Sequence, residues 1–263
     1  MRLLLNKEIG GYFELELPHG EEYHNNALRL NTGRNAFEYI LRSKKYKKVY
    51  LPYYTCDVML EPIQKLGLNF EFYQINDQFF PLFDFNKIDN DAVFVYNNYF
   101  GICNEIVDEL SKKTENIIID NSQAFYAKPV LGVDTFYSAR KFFGVPDGAY
   151  LYTNKTRDED FERDFSYDRM SHLLIRTDAP AEKGYNNFMK NDGSLSEEKI
   201  KKMSQLTSAI LNSIDYETAA IKRIANFKFL NSALKNMNKL HFDFSEECVP
   251  MVYPYWNSDK SLK

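Results

Sequence analysis

Residues 136–149 contain the side chains best suited to chemistry. A Ser-x-x-Lys spacing sets Ser138 three positions before Lys141, next to an aromatic, glycine-containing turn. Ser138 can place a hydroxyl on a phosphate while Lys141 reaches an aldehyde of the same ligand. A lysine amine in apolar surroundings is an effective nucleophile. The alternative is a surface Arg-Lys pair beside a turn, but solvent-facing loops rarely carry apolar residues as densely as residues 142–145.

A second candidate follows the most apolar run of the chain. Asp120 comes directly after three consecutive isoleucines, and Gln123 lies three residues further on. A carboxylate at the mouth of a buried strand is costly unless it is paired. A protonated pyridine nitrogen would be such a partner, and the pairing would keep the ring cationic so that it can act as an electron sink. Taken alone, an Asp that caps the next turn explains this segment equally well.

A third candidate is the start of a predicted helix. Thr32 is a suitable N-cap, and Gly33 would let a ligand approach the backbone closely. The free N–H groups and partial positive charge of a helix N-terminus suit a phosphate. For this segment alone, an ordinary capped helix is the favoured interpretation.

The elements that must position these residues alternate through the first two-thirds of the chain. Apolar runs and alternations predict strands at 48–51, 69–75, 92–96 and 117–119, and helical stripes at 57–66 and around 106–110. This rhythm is typical of a doubly wound, mostly parallel sheet. Ligands in such sheets bind beyond the carboxyl ends of the strands. The residues to inspect are therefore 52–54, 97–99 and 120–123.

The pattern changes after residue 155. Residues 156–200 read as polar and irregular, with turn signals at 178–180 and 191–193. Two helices are predicted next, the first from about 196 to 212 and the second after an N-cap at Asp215. Residues 249–255 contain two prolines and are predicted to form an edge strand. The polar residues from Ser258 to Lys263 are expected to be frayed.

Composition limits the class of protein. The chain has 263 residues, 44% hydrophobic and 27% charged, with a formal net charge of −4. The basic residues are dispersed, which argues against a nucleic-acid groove. Cys56, Cys103 and Cys248 fit neither a disulfide framework nor a metal-ligand spacing, so no metal is expected. The apolar run at residues 1–6 is too short for a signal peptide, and no stretch is long enough to cross a bilayer, so a cytoplasmic location is expected.

Together the three segments resemble the DegT/StrS-type sugar aminotransferase family of fold-type I pyridoxal-5′-phosphate (PLP) enzymes. The resemblance runs from about Leu30 to Tyr255. It rests on the helix start at residues 32–35, on Asp-x-x-Gln at residues 120–123, and on a lysine followed seven residues later by Gly148 and Ala149. It implies a three-layer α/β/α sandwich of the aspartate-aminotransferase type. The family's chains are usually longer, so a large PLP-binding domain over 1–212 and a partial small C-terminal domain over 213–263 are expected.

The resemblance also implies roles for individual residues. Lys141 would be the Schiff-base lysine and proton shuttle, Asp120 would hold the pyridine nitrogen, and Gln123 would reach the ring hydroxyl. The phosphate would be bound by Gly33, by the backbone N–H groups of Arg34 and Asn35, and by the Ser138 hydroxyl. Asn186, in a Gly-Tyr-Asn segment, would reach the cofactor phosphate of the neighbouring subunit, which implies a homodimer with shared active sites.

The chain departs from the family pattern at several positions. Cys56 stands where the family usually has an aromatic residue stacked on the cofactor ring, and Tyr53 or Tyr54 is the candidate substitute. Phe136 occupies the usual place of the phosphate serine, five residues before Lys141. The arginine that often follows Gly-Tyr-Asn is absent, with Phe188 in that region.

Three functions remain in competition at this point. The first is a transaminase that moves an amino group from glutamate to a nucleotide-linked keto-sugar for surface-polysaccharide synthesis. Lys141 favours this over the family's dehydratases, which have histidine at that position. The second is a PLP-binding but catalytically impaired paralogue or partner subunit. The third is a nucleotide-binding α/β protein without PLP, which would make the combination of Asp120, Gln123 and Lys141 accidental.

Overall fold

A central eight-stranded sheet organises the chain. The structure, a computed structural model, describes residues 10–242, 244–245 and 247–257. The strands are β1 (Leu28–Leu30), β2 (Lys48–Pro52), β3 (Asn69–Ile75), β4 (Pro81–Leu82), β5 (Ala92–Asn97), β6 (Ile117–Asp120), β7 (Asp134–Ser138) and β8 (Ala149–Tyr152). Their order across the sheet is β1-β8-β7-β6-β5-β2-β3-β4. The five strands from β7 to β3 are mutually parallel, whereas β8, β1 and β4 pair antiparallel with their neighbours.

Helices cover both faces of this sheet. They are α1 (Gly33–Lys44), α2 (Leu60–Lys65), α3 (Asn104–Lys113), α4 (Ser171–Asp178), α5 (Ala181–Ser194), α6 (Gln205–Asn212) and α7 (Tyr216–Leu234). Apolar residues of α1 and α2 pack on one face, and residues of α3 and α7 pack on the other. The predicted three-layer α/β/α sandwich with a mostly parallel sheet is confirmed.

The central strands show why this part of the fold could be predicted. In β5, Val93 and Val95 join the core beneath α1, while Phe94 and Tyr96 join the core beneath α3. Successive strand residues point to opposite faces, and a sheet covered on both sides therefore needs an uninterrupted apolar run. All of β5 is buried. Its carboxyl end consequently lies at a fixed place between the two helical layers.

The second half of the chain differs from its prediction. Residues 156–200 are not uniformly irregular, because they include α4 and α5. The apolar spacing of α5 is weak, and Gly184 and Asn191 are its buried residues. Gly184 allows close packing on α4, since a Cβ there would lie 3.1 Å from the carbonyl oxygen of His172. The turn predicted at 191–193 falls within the last turns of α5.

Two further elements were predicted wrongly. The helix expected from about residue 196 begins only at Gln205, because Lys199 and Lys201 bond to the backbone and side chain of Asn31 instead. Residues 249–255 form no strand. Pro250 and Pro254 have no N–H to donate, and Met251 makes a single backbone bond to the carbonyl oxygen of Phe100.

The two predicted helix caps are present. The Thr32 hydroxyl accepts from the Asn35 N–H at the start of α1, and the Asp215 carboxylate accepts from the Thr218 N–H at the start of α7. The predicted domain boundary at residue 212 falls between α6 and α7 and stays a prediction. The expectations for residues 1–6 and for Ser258 to Lys263 lie outside the described residues. Within the described ranges, no helix is long and apolar enough to cross a membrane.

Candidate active site

A cleft lies where the carboxyl ends of β5, β6 and β7 meet the start of α1. The strand register places Asn97 beside Asp120, and Asp120 beside Phe136. The cleft has a volume of about 180 Å³. It brings together seven of the ten residues predicted for the site: Gly33, Arg34, Cys56, Asp120, Gln123, Ser138 and Lys141.

Asp120 is the buried anion of the cleft. It is 8% exposed, and one of its carboxylate oxygens accepts from the Ser122 N–H at 2.7 Å. Burial raises the pKa of Asp120, whereas the positive charge of Lys141 and the bonds from Ser122 oppose that rise. Because burial disfavours the charged form of this carboxylate, a cationic or protonated partner would stabilise it.

Lys141 reaches the same cleft from the turn after β7. It ends a short 3-10 helix, Ala139–Lys141, which follows Ser138 directly. Lys141 itself is exposed, so the apolar surroundings suggested by the sequence do not enclose its side chain. Its neighbours Phe142 and Val145 are buried and fix the turn. The backbone of Lys141 is therefore held in place by the turn, and its amine is accessible to a ligand.

The start of α1 forms one wall of the cleft. The Thr32 hydroxyl proton is already used, since the hydroxyl donates to the Asn35 side chain and also accepts from the Asn35 N–H. Gly33 faces the Phe136 ring and the Ser122 hydroxyl, which a Cβ at this position would meet at 3.5–3.8 Å. The first N–H groups of a helix have no acceptor within the helix, so this wall offers donors to an anion.

Arg34 adds a side-chain cation to this wall. Its side chain is 10% exposed, and the guanidinium pairs with the carboxylate of Glu61 in α2. Glu61 also accepts from the Glu197 N–H at 2.7 Å. The pair thus joins α1, α2 and the segment that follows α5.

Gln123 is oriented by the loop after β5. Its side-chain oxygen accepts from the Phe100 N–H at 3.0 Å. Phe100 adopts a left-handed backbone conformation with φ of 55°, and its carbonyl oxygen accepts from the Met251 N–H at 2.8 Å. The Gln123 oxygen is occupied in this way, so its amide nitrogen is the end that can donate to a ligand.

Solved structures with a similar fold are known. The chain superposes on the sugar aminotransferase CalS13 from Micromonospora echinospora with a TM-score of 0.55 and 13% identity, over 88% of this chain and 67% of that chain. NtdA from Bacillus subtilis, solved with bound cofactor PMP, superposes with a TM-score of 0.57 and 14% identity, over 86% of this chain and 54% of that chain. DesV from S. venezuelae, in complex with a ketimine intermediate, superposes with a TM-score of 0.52 and 14% identity, over 86% of this chain and 62% of that chain.

This chain has the fold of the PLP-dependent sugar aminotransferases. It spans between about half and two thirds of the length of these three proteins. No protein-family profile matches the sequence, and no curated protein matches it either. The likeness is therefore one of fold, at low sequence identity.

Three residues predicted for an aminotransferase site do not line the cleft. Asn35 is buried beneath it, with its side-chain amide bonded to the Glu198 carbonyl oxygen. Tyr54 is 57% exposed and stacks on Tyr99 at 5.6 Å, and Tyr53 is 74% exposed, so neither tyrosine lines the cleft beside Cys56. Asn186 is exposed on α5, away from the cleft of its own chain.

Several residues of the cleft were not selected from the sequence. Asn97 and Ser122 fall in the segments singled out as strand ends, but nothing in the sequence separated them from their neighbours. Arg140 and Asp192 form an ion pair of 3.0 Å at the cleft. No sequence signal joins these two, because they are 52 residues apart.

Proposed function

We propose that this protein is a PLP-dependent aminotransferase that moves an amino group from glutamate to a nucleotide-linked keto-sugar, in the synthesis of surface-polysaccharide precursors. One observation carries the proposal. The amine of Lys141 and the buried carboxylate of Asp120 share one cleft, beside the N-terminus of α1. These three features match the aldehyde, the basic ring nitrogen and the phosphate of a single cofactor.

The residues present fit PLP. Asp120 is a buried carboxylate with one oxygen directed by Ser122, and it gains from a protonated partner. Asn97 lines the same cleft at 5% exposure. Its amide nitrogen donates to the Thr55 hydroxyl, while its buried amide oxygen has no partner among the described residues. A buried polar atom without a partner is costly, which supports a ligand as its natural partner.

Each residue has a distinct task in this proposal. Lys141 would hold the cofactor through its amine and carry protons at Nζ during turnover. Asp120 would keep a proton on the ring nitrogen, and the Gln123 amide nitrogen would donate to the ring oxygen. When bound, the cofactor supplies an electron sink for the donor carbon. Ser138 and the first turn of α1 would bind the phosphate.

We further propose a cytoplasmic homodimer with shared active sites. The cleft of about 180 Å³ is smaller than the range of about 300–1,000 Å³ typical of ligand pockets, so a second chain that completes it would account for its size. Leu174, Tyr185, Phe188 and Met189 are exposed apolar residues of α4 and α5, next to Asn186. Exposed apolar patches of this kind mark interaction surfaces.

A second candidate function is a PLP-binding but catalytically impaired partner subunit. Cys56 favours it, because this residue lines the cleft where an aromatic would stack, and the two neighbouring tyrosines lie outside it. Loss of stacking would loosen the ring without preventing attachment at Lys141.

Visible absorption of the PLP-loaded protein separates the two. The proposal expects a band that shifts when glutamate is added and returns when a keto-sugar nucleotide is supplied. Lys141→Ala should abolish the shift, and Lys128→Ala, at an exposed lysine away from the cleft, should retain it. A band that forms but responds to no amino donor would refute the aminotransferase and support the impaired subunit.

A further inference from the structure

Arg34 is the cation that stands closest in sequence to the predicted phosphate position at the start of α1. The hydroxyl of Thr32 cannot serve an incoming anion without breaking its bonds to Asn35. Phe136 presents an aromatic ring, not a donor, to the same wall. The first-turn N–H groups supply only partial charge, so a full positive charge beside them would strengthen the binding of a dianionic phosphate.

We propose that the Arg34 guanidinium is a direct phosphate ligand of this site, and that Glu61 competes with the anion for it. This inference rests on the proposed function for the identity of the ligand, but it concerns two side chains that the family pattern does not explain. The structure has Arg34 lining the cleft at 10% exposure, already paired with Glu61. The orphaned oxygen of Asn97 in the same cleft is independent evidence that a ligand belongs there.

The surroundings of Glu61 explain why it would compete with the anion for Arg34 and not permanently neutralise the guanidinium. Its carboxylate has other donors, the Glu197 N–H at 2.7 Å and the Ser196 hydroxyl at 3.4 Å. These bonds would keep Glu61 in place when Arg34 turns towards an anion. The guanidinium has five N–H donors and can bind a phosphate with one edge. Affinity for the anion is then set by how strongly Glu61 holds Arg34.

Calorimetric titration of the cofactor-free protein with inorganic phosphate tests the role of Arg34 and Glu61 without any catalytic readout. Arg34→Gln should weaken phosphate binding about tenfold to hundredfold, as expected for the loss of one charge-assisted hydrogen bond. Glu61→Gln should strengthen it several-fold. Arg157→Gln, which removes an arginine paired with Glu159 near the far end of α1 and outside the cleft, is the matched control and should leave binding unchanged.

A second comparison separates the charge effect from a general loss of structure. Arg34→Gln should weaken the binding of PLP but not that of pyridoxal, which has the same ring and aldehyde and no phosphate. Equal loss for both ligands would overturn the inference, as would phosphate affinity unchanged by Arg34→Gln or weakened by Glu61→Gln.

The inference and the proposed function fail in different ways. If wild-type protein binds phosphate through Arg34 but forms no bond with PLP at Lys141, the anion site stands and the aminotransferase proposal falls. If PLP attaches at Lys141 with an affinity that Arg34→Gln does not alter, the aminotransferase proposal stands and the anion role of Arg34 falls. A wild-type protein that binds no phosphate also contradicts the anion site.

Discussion

Replacement of Asp120 by asparagine should have opposite effects on the empty and the loaded protein. The carboxylate is 8% exposed, and burial raises its pKa. An Asp whose pKa is raised by folding destabilises the folded state above its unfolded pKa, so stability falls as pH rises from about 4 towards the folded value. Asparagine keeps the oxygen that accepts from Ser122 and removes the buried charge. Asp120→Asn without cofactor should therefore be at least as stable as wild type at pH 7.

The loaded protein should respond in the other direction. A hydrogen bond to a charged group contributes about 1.5–3 kcal/mol, so the loss of the Asp120 carboxylate from a protonated ring should cost about 10- to 150-fold in PLP affinity or in the rate of the glutamate half-reaction. Urea unfolding with and without PLP, together with single-turnover absorption, measures both effects. The role given to Asp120 would be refuted if the Asp120→Asn protein kept wild-type glutamate kinetics, or if it lost marked stability without cofactor.

Other perturbations have equally definite outcomes. Cys56→Tyr should tighten PLP binding about 2- to 10-fold in a fluorescence titration, the range expected of one added aromatic contact, and no gain would show that Cys56 is not at the ring face. Burial lowers the pKa of His24 to about 4, so the folded protein should lose up to about 3 kcal/mol as the pH falls from 6.5 towards 4. His24→Gln should flatten that decline in denaturant titrations, and an identical pH dependence in both proteins would contradict it. Gly148→Ala should destabilise the protein by more than about 1 kcal/mol in thermal unfolding, because its φ is +115° and a Cβ would lie 2.9 Å from the Thr207 methyl. A Gly148→Ala protein with wild-type stability would show that this turn can relax.

The first half of the fold was predictable because its information is local. Fully apolar runs such as Ile117–Ile119 have no other stable place than a sheet covered on both faces, and the polar residue after each run then falls at the site. Asp120 and Gln123 were found in this way, whereas Lys141 was found from the Ser-x-x-Lys spacing and the aromatic turn beside it; all three share the cleft. Thr32 was found from capping chemistry alone.

The remainder could not be predicted because it depends on contacts between distant segments. Residues 198–204 form no helix, since Asn31 bonds to Lys199 and Lys201, which no local pattern indicates. The pairing of Arg34 with Glu61 arises only when α1 and α2 pack together. Tyr54 was a candidate for the aromatic that the resemblance places at Cys56, yet it stacks on the Tyr99 ring and does not line the cleft.

The most direct test of this account is the intact mass of the protein after incubation with PLP and reduction with borohydride, followed by peptide mapping. One reduced pyridoxyl group per chain is expected, on the peptide that contains Lys141, and none on Lys141→Ala. A wild-type chain that retains no pyridoxyl group, or retains it on other lysines with Lys141 unmodified, would contradict the account.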